Sequence, residues 1–196
     1  MTIRRFLTTA AVTVLVLAGT AGPARADETF GSPPGVLYSC SFPGVLPQQV
    51  TVVEGFTGPG SVPAGENFSI TGISGTIFLS AGTRSLLRAV GFDGVRGTGM
   101  IPVTAWNAIP ASSDDGIVWE QIWPPLTGTI GFYARSQSFV AGNSGTAGLM
   151  MSRSFSLSLQ FHKYANDTWT SWIMNCTLKV TNPPQNPAFT PDLLVY

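Results

Sequence analysis

The chain has 196 residues, of which only 10% are charged, and its basic and acidic residues balance to a formal net charge of zero. A chain of this length is typical of a single domain that buries one hydrophobic core. The basic residues are few and do not cluster, which excludes the Lys- and Arg-rich surface of a nucleic-acid-binding protein. We therefore expect no nucleic acid among its partners.

Residues 1–26 have the pattern of a secretory signal peptide. Arg4 and Arg5 form a basic start, residues 10–18 are apolar, and alanines on both sides of Arg25 resemble a cleavage site. The apolar run is shorter than the about 20 residues of a membrane-spanning helix, and no second run follows. We expect the general secretory route rather than the twin-arginine route. The mature chain is predicted to be secreted or envelope-associated, with no integral membrane segment.

The first half of the mature chain predicts strands separated by turns. Residues 27–35 contain two prolines and end in glycine, so we predict a flexible lead-in. Apolar residues recur at every second position in 36–42, 48–53 and 68–79, which is the period of a half-buried strand. The Gly- and Pro-rich residues 55–65 predict a turn between the last two strands.

One short helix is predicted over residues 83–90. Thr83 is a suitable cap, and Gly91 can end the helix in a left-handed conformation. Leu86, Leu87 and Val90 share one face of it. A helix of about two turns between strands is expected to cover an open end of the sheet structure.

The second half of the chain continues the two-residue period. Strands are predicted over 94–104, 127–135 and 153–163, and a last strand ends at residue 181. Residues 182–196 are rich in proline and are predicted to be a poorly ordered tail, although residues 193–195 could dock on the domain. The predicted fold is all-β: an antiparallel β-sandwich over residues 36–181 with one short helix. A closed barrel is the main alternative.

The two cysteines predict a disulfide. Cys40 and Cys176 both fall in the inward phase of their strands, and an exported chain with two cysteines is expected to pair them. The bridge would join the first and last strands and close almost the whole mature domain. Chain-entropy estimates credit such a loop with roughly 4 to 5 kcal/mol.

Residues 106–125 form the most distinctive segment and are predicted to be a long connection. Such connections are often functional. Indole faces can stack on a sugar ring while carboxylates accept its hydroxyl hydrogens, so the segment predicts a ligand site. Its candidate residues are Trp106, Trp119, Trp123, Asp114, Asp115 and Glu120. The alternative is that the tryptophans cover a sheet edge and the aspartates form a surface turn.

Catalytic and metal sites have weaker sequence support. His162 is the only histidine and lies on the polar face of its predicted strand. A secreted hydrolase that uses Glu120 and His162 is an alternative function, but the chain lacks a Gly-x-Ser-x-Gly elbow. The ligand pattern of an EF-hand is absent too, so we expect neither metal nor cofactor. A third alternative, a β-barrel that assembles in a membrane, is disfavoured because the outward faces are rich in serine.

The order of these features resembles a known kind of protein. A cleaved leader precedes Tyr38-x-Cys40, then come Pro63-x-Gly65 before a strand, a short helix, and a second cysteine in the last strand. This resembles a family of small exported domains of unknown function from high-GC Gram-positive bacteria. The resemblance implies an immunoglobulin-like sandwich and transfers no functional residue. The leading hypothesis is therefore an exported, non-catalytic binding or structural domain that recognises an envelope glycan or an exported protein.

Overall fold

The computed structural model describes residues 26–32, 34–113, 116–123 and 128–196, so residues 1–25 of the predicted signal peptide lie outside the described residues. Within these ranges the chain forms fourteen strands and one helix. The strands are β1 (Asp27–Gly31), β2 (Val36–Phe42), β3 (Val45–Pro59), β4 (Ser61–Val62), β5 (Asn67–Leu79), β6 (Phe92–Thr98), β7 (Val103–Trp106), β8 (Ala108–Ser113), β9 (Ile117–Ile122), β10 (Thr129–Ala141), β11 (Gly145–Met151), β12 (Ser154–Lys163), β13 (Thr168–Leu178) and β14 (Leu193–Val195).

Eight of these strands form a closed ring of antiparallel pairs. The order is β3-β2-β13-β12-β6-β9-β10-β5, and β5 pairs back with β3. Strands on opposite sides of the ring face each other across one core, as the two layers of a sandwich do. A second sheet, β4-β14-β11-β7, is also antiparallel except for the short pairing of β14 with β4. The predicted antiparallel all-β fold with one short helix is confirmed.

The core follows from the two-residue period of the strands. In β12 the apolar side chains Phe155, Leu157, Leu159 and Phe161 are buried, and the residues between them face outward. Phe161 contacts Phe42 and Phe92 from other strands with ring centres 6.2 and 5.8 Å apart. The alternation seen in the sequence therefore identifies the inner face of the ring correctly.

The predicted disulfide is present, but its place in the sheet differs from the expectation. Cys40 of β2 lies directly opposite Cys176 of β13 in the antiparallel register, and their sulfurs are bonded. The bridge therefore joins two neighbouring strands of one sheet, and β1 and β14 lie outside the pair. The bridge of immunoglobulin domains joins two different sheets. The immunoglobulin-like topology stays a prediction.

The segments on either side of the predicted sandwich contain strands that the sequence did not predict as such. Asp27–Gly31 is strand β1 instead of a flexible lead-in, and it pairs with the far end of β3. The tail, predicted to be poorly ordered apart from a possible docking of residues 193–195, contains β14 (Leu193–Val195), which pairs with β11. Buried aromatic residues anchor both segments: Phe30 stacks on Phe56, and Phe189 packs on the same ring with centres 4.7 Å apart. Apolar anchors of this size outweigh the prolines near them.

The helix α1 spans Ala81–Ala89 and starts two residues earlier than predicted. Ser80, rather than Thr83, is its cap, because the Ser80 hydroxyl accepts a hydrogen bond from the Thr83 backbone N–H at 3.0 Å. Gly91 follows the helix with φ of +96°, as its predicted role at the helix end requires. Within the described ranges, no helix is long and apolar enough to cross a membrane.

The helix lies across one end of the ring. It contacts β3 and β6, which occupy opposite positions in the order of pairing, so it has the position predicted for a lid. Leu87 is buried beneath it, but Leu86 and Val90 are exposed, so only part of the predicted apolar face is used. A single anchoring leucine is sufficient because Thr83 is buried beside it.

Residues 106–125 are not a long connection. They contain the end of β7 and the two strands β8 and β9, while residues 114–115 and 124–127 lie outside the described ranges. Strand β9 belongs to the ring because it pairs with β6 on one side and β10 on the other. The sequence did not reveal β9 as a strand because a β-bulge in its pairing with β6 interrupts the alternation of buried and exposed residues.

Candidate functional site

The outward face of the ring carries a groove of about 1200 Å³ between β9 and β13. The two strands between them, β6 and β12, present polar side chains there: Arg96, Thr98, Ser158 and Gln160. The flanking strands carry larger apolar ones: Ile117 and Trp119 on β9, and Trp172 and Ile173 on β13. The groove therefore has a polar middle between two apolar sides.

A bulge in the pairing of β6 with β9 re-aims side chains toward the groove. The register shifts between Val95 and Gly97, so that Arg96 lies opposite the β9 segment that holds Trp119 and Glu120. Trp119 and Glu120 are consecutive residues, yet both are exposed. An extra residue in one strand allows this, because it interrupts the alternation of faces.

Gly97 permits the close approach of β6 to β12 beneath the groove. A Cβ atom at this position would lie 2.8 Å from the Leu159 Cα and closer still to the Ser158 carbonyl oxygen. Its φ of +154° is a conformation that residues with side chains rarely adopt. Only glycine fits this position without moving the neighbouring strand.

Arg96 lies at the centre of a chain of polar and aromatic contacts. Its Nη1 donates to Glu120 Oε2 at 3.0 Å, and its Nε donates to Gln160 Oε1 at 2.9 Å. Its guanidinium carbon lies 4.0 Å from the ring centre of Trp169, which is a cation–π distance. Among the described residues that line the groove, the charged side chains are Arg96 and Glu120. The charges that line the groove therefore balance, and the groove is close to electrically neutral.

Trp119 presents a fixed aromatic face beside this network. Its ring atoms would lie 3.1 Å from a Cβ atom at Gly131, so the indole rests close to the backbone of β10. The ring is nearly parallel to that of Tyr133, at 14° and 6.5 Å between centres. About half of the side chain, 52%, remains exposed. A rigid, half-exposed indole of this kind can stack on a ligand at low entropic cost.

The structure brings together two of the six candidate ligand-binding residues, Trp119 and Glu120. Trp106 lies on β7 in the second sheet, opposite Gly148 of β11. Trp123 is only 5% exposed, and its indole N–H donates to the Thr129 carbonyl at 3.1 Å. It packs against the core, with its ring centre 6.4 Å from that of Phe161.

The two predicted aspartates, Asp114 and Asp115, lie outside the described residues. Conversely, sequence reasoning did not include Arg96, Gln160 or Trp169 in the site. The polar phase of the strand containing Gln160 was visible in the sequence, but the register that places it beside Arg96 was not.

His162 is held between two carboxylates at the end of the β12–β13 hairpin. Its Nδ1 lies 2.6 Å from Asp93 Oδ1, and its Nε2 lies 2.8 Å from Asp167 Oδ1. The pKa of His162 is raised above its usual value. The hydrogen bond with Asp167 is the largest cause, and the hydrogen bond with Asp93 is the next largest. Both ring nitrogens are thus engaged, and neither is placed to take a proton from a serine. The geometry gives no support to a hydrolase that uses His162 as its base.

Metal binding finds no support in the described part of the chain. Within it, no group of three or more His, Cys, Asp or Glu side chains could hold a metal ion. The carboxylates of Asp93 and Asp167 approach His162 from opposite ring nitrogens, so the three groups do not converge on one point.

The fold and this surface together define a small disulfide-bridged all-β domain with an open, nearly neutral groove on one outer face. Comparison with protein families identifies it further: residues 37–190 match a family of unknown function, DUF6801. The chain belongs to this family. Searches of curated proteins and of solved structures found no match.

Proposed function

We propose that this protein is an exported, non-catalytic domain that binds a neutral glycan in the groove between β9 and β13. The observation that carries the proposal is the half-exposed indole of Trp119 beside a charge-balanced cluster of polar side chains, Arg96, Glu120 and Gln160. Pyranose rings have an apolar face that stacks on an aromatic ring and hydroxyl groups that bond to polar side chains. The groove offers both kinds of contact side by side.

The size and charge of the groove favour an extended, uncharged ligand. Pockets for small molecules commonly enclose about 300 to 1000 Å³. A volume of about 1200 Å³ suits several linked sugar units better than one. An anionic ligand would compete with Glu120 for Arg96, and a cationic one would compete with Arg96 for Glu120. A neutral chain leaves this ion pair in place.

Export and an envelope location are part of the same proposal. They are supported by the signal-like pattern of residues 1–26, by the Cys40–Cys176 disulfide and by the resemblance to small exported domains of high-GC Gram-positive bacteria. Glycans are abundant at bacterial surfaces, so an exported glycan-binding domain would meet its ligand there. Recognition of an exported protein through the same surface is the competing outcome.

The test is direct binding of soluble neutral oligosaccharides to the purified protein. Isothermal titration with four- to six-unit oligomers of glucose, N-acetylglucosamine and mannose, in α and β linkages, measures the dissociation constant. Trp119→Ala should weaken binding about tenfold or more, the equivalent of about 1.4 kcal/mol. Trp106→Ala is the matched control, because Trp106 is similarly exposed but lies on the second sheet.

Two results would overturn the proposal. One is that no oligosaccharide of the panel binds the wild-type protein. The other is that Trp119→Ala and Trp106→Ala reduce affinity equally while circular dichroism shows both variants folded, since the indole of β9 would then have no special part in binding.

A further inference from the structure

The contacts of His162 favour one protonation state. An ionised carboxylate has no hydrogen to donate, so a ring nitrogen that bonds to one must itself carry a proton. Both nitrogens of His162 lie within 2.8 Å of a carboxylate oxygen. Neutral imidazole has only one N–H. The arrangement is complete only when His162 is the doubly protonated imidazolium.

The three partners belong to different parts of the sheet. Asp93 is on β6, His162 on β12, and Asp167 closes the four-residue turn that leads into β13. Asp167 has a φ of +52° and a side chain that is 95% exposed, and its bond to His162 ties the end of the turn to β12. The start of the turn is held by the Tyr164 backbone N–H, which donates to the Gly91 carbonyl at 3.3 Å. Asp93 is largely buried and holds the opposite side of the ring.

The same histidine contacts the aromatic end of the groove network. The His162 and Trp169 rings have centres 5.0 Å apart, and Trp169 in turn lies under Arg96 at 4.0 Å. The remaining charged neighbour on its strand, Lys163, has its ammonium group over the Phe92 ring at 5.6 Å. A continuous path of contacts therefore leads from the imidazolium to the guanidinium that lines the groove.

We propose that Asp93, His162 and Asp167 form a pH-sensitive clasp that fastens the β12–β13 turn and the Trp169–Arg96 contact, and that loss of the His162 proton loosens both. As regulation of the groove, this inference rests on the proposed glycan-binding function. Because the pKa of His162 is raised, the clasp is complete below the ordinary histidine value of about 6.5 and opens as the pH rises through the raised value. The groove is then best formed in mildly acidic surroundings.

A single histidine makes the clasp directly observable. In protein labelled with ¹⁵N-histidine, two-bond ¹H–¹⁵N spectra should show both ring nitrogens protonated at pH 6, with one proton lost at higher pH. The backbone amides of residues 164–167 and the Trp169 indole resonance should change with the same midpoint. For the oligosaccharide that binds most tightly, affinity should fall about fivefold or more across that midpoint.

Asp167→Asn keeps a hydrogen-bond acceptor but removes the charge, so it should move all these midpoints to lower pH together. Asp192→Asn, which changes an exposed carboxylate on the C-terminal segment, is the matched control and should leave them in place. A purely structural role for Asp167 would alter stability without moving the midpoints.

The outcomes separate the two proposals. A neutral imidazole at pH 6, or a titration that leaves Trp169 and the turn unchanged, overturns the clasp. Coupled titration without oligosaccharide binding at any pH leaves the clasp standing and overturns the glycan-binding function. Binding whose affinity is constant across the His162 midpoint overturns the link between the clasp and the groove.

Discussion

Glu54 is an ionisable group in the core of the ring, and its replacement should have a distinctive effect on stability. The side chain is 2% exposed and lies in the same inward phase of β3 as Val52 and Phe56. Neither carboxylate oxygen has a hydrogen-bond partner in the described part of the chain. Burial raises the pKa of Glu54 well above its usual value, because the charged form loses its hydration.

The magnitude follows from proton linkage. Below the unfolded-state value of about 4.3, Glu54 is protonated in both states and its titration contributes nothing to the free energy of unfolding. Above that pH the unfolded chain releases the proton while the folded chain keeps it. Stability is then lost at about 1.4 kcal/mol per pH unit until the pH reaches the raised folded value. Against a typical total of about 5 to 15 kcal/mol, this slope is easily measured.

Glu54→Gln removes the titration while nearly preserving the shape and polarity of the protonated acid. We expect the variant and the wild type to have similar stability at pH 4. Above pH 5 the variant should gain about 1.4 kcal/mol for each pH unit until the pH reaches the raised pKa of Glu54 in the folded protein. Urea unfolding followed by tryptophan fluorescence at pH 4, 5, 6 and 7 gives the difference directly. Glu66→Gln is the matched control, because Glu66 is exposed.

A constant difference between Glu54→Gln and wild type over this range, like that of the Glu66 control, would refute the reasoning. It would mean that Glu54 ionises in the folded protein as easily as in the unfolded chain.

Tyr38 provides a second observation. Its hydroxyl donates a hydrogen bond to the Ser152 carbonyl at 2.7 Å. Burial, and after it the charge of Glu54, raises the pKa of this hydroxyl. Removing the carboxylate should lower that value.

Two further predictions concern the frame of the domain. The free energy of unfolding in urea should be about 2 to 5 kcal/mol lower for the double variant Cys40→Ala/Cys176→Ala, because the bridge closes a loop across 136 positions of the chain. A reducing agent should lower the urea midpoint of the wild type and leave that of the variant unchanged. Gly97→Ala should lower the melting temperature by several degrees, because a methyl group there meets the backbone of β12. Gly65→Ala should lower the melting temperature less, because its Cβ position is surrounded by open space and only the positive φ disfavours alanine there. Equal losses in the two glycine variants would contradict the close approach of β6 and β12.

The parts of the fold that were predicted correctly are those that follow from short-range sequence patterns, such as the alternation of apolar and polar residues along a strand. The inward phase of the strand over residues 153–163, the inward phase of the two cysteines and the glycine at the helix end all depend on neighbouring residues. The same rule would have placed Glu54 in the core had the strand been continued past Val53. It was ended there because the following glycines resemble a turn, whereas Phe56 keeps the strand in the sheet through its contact with Phe30.

The parts that were missed depend on register between distant strands. The groove exists because β9 and β13 flank β6 and β12, and no local pattern states which strands are neighbours. The bulge opposite Arg96 then breaks the alternation that would have identified β9 as a strand. Trp119 and Glu120 could therefore be chosen as candidates from their residue types alone. Trp106 was chosen with them because it is close in sequence, but the fold places it on another sheet.

The position of the groove on the outer face makes its function separable from folding. Trp119, Gln160 and Ile173 point away from the core, and their neighbours in each strand supply the buried contacts. Substitutions at such exposed positions usually change stability by less than about 0.5 kcal/mol. A loss of binding in Trp119→Ala can therefore be assigned to the groove. His162 differs because its bonds connect three segments, and only there do pH, local stability and the shape of the groove depend on the same proton.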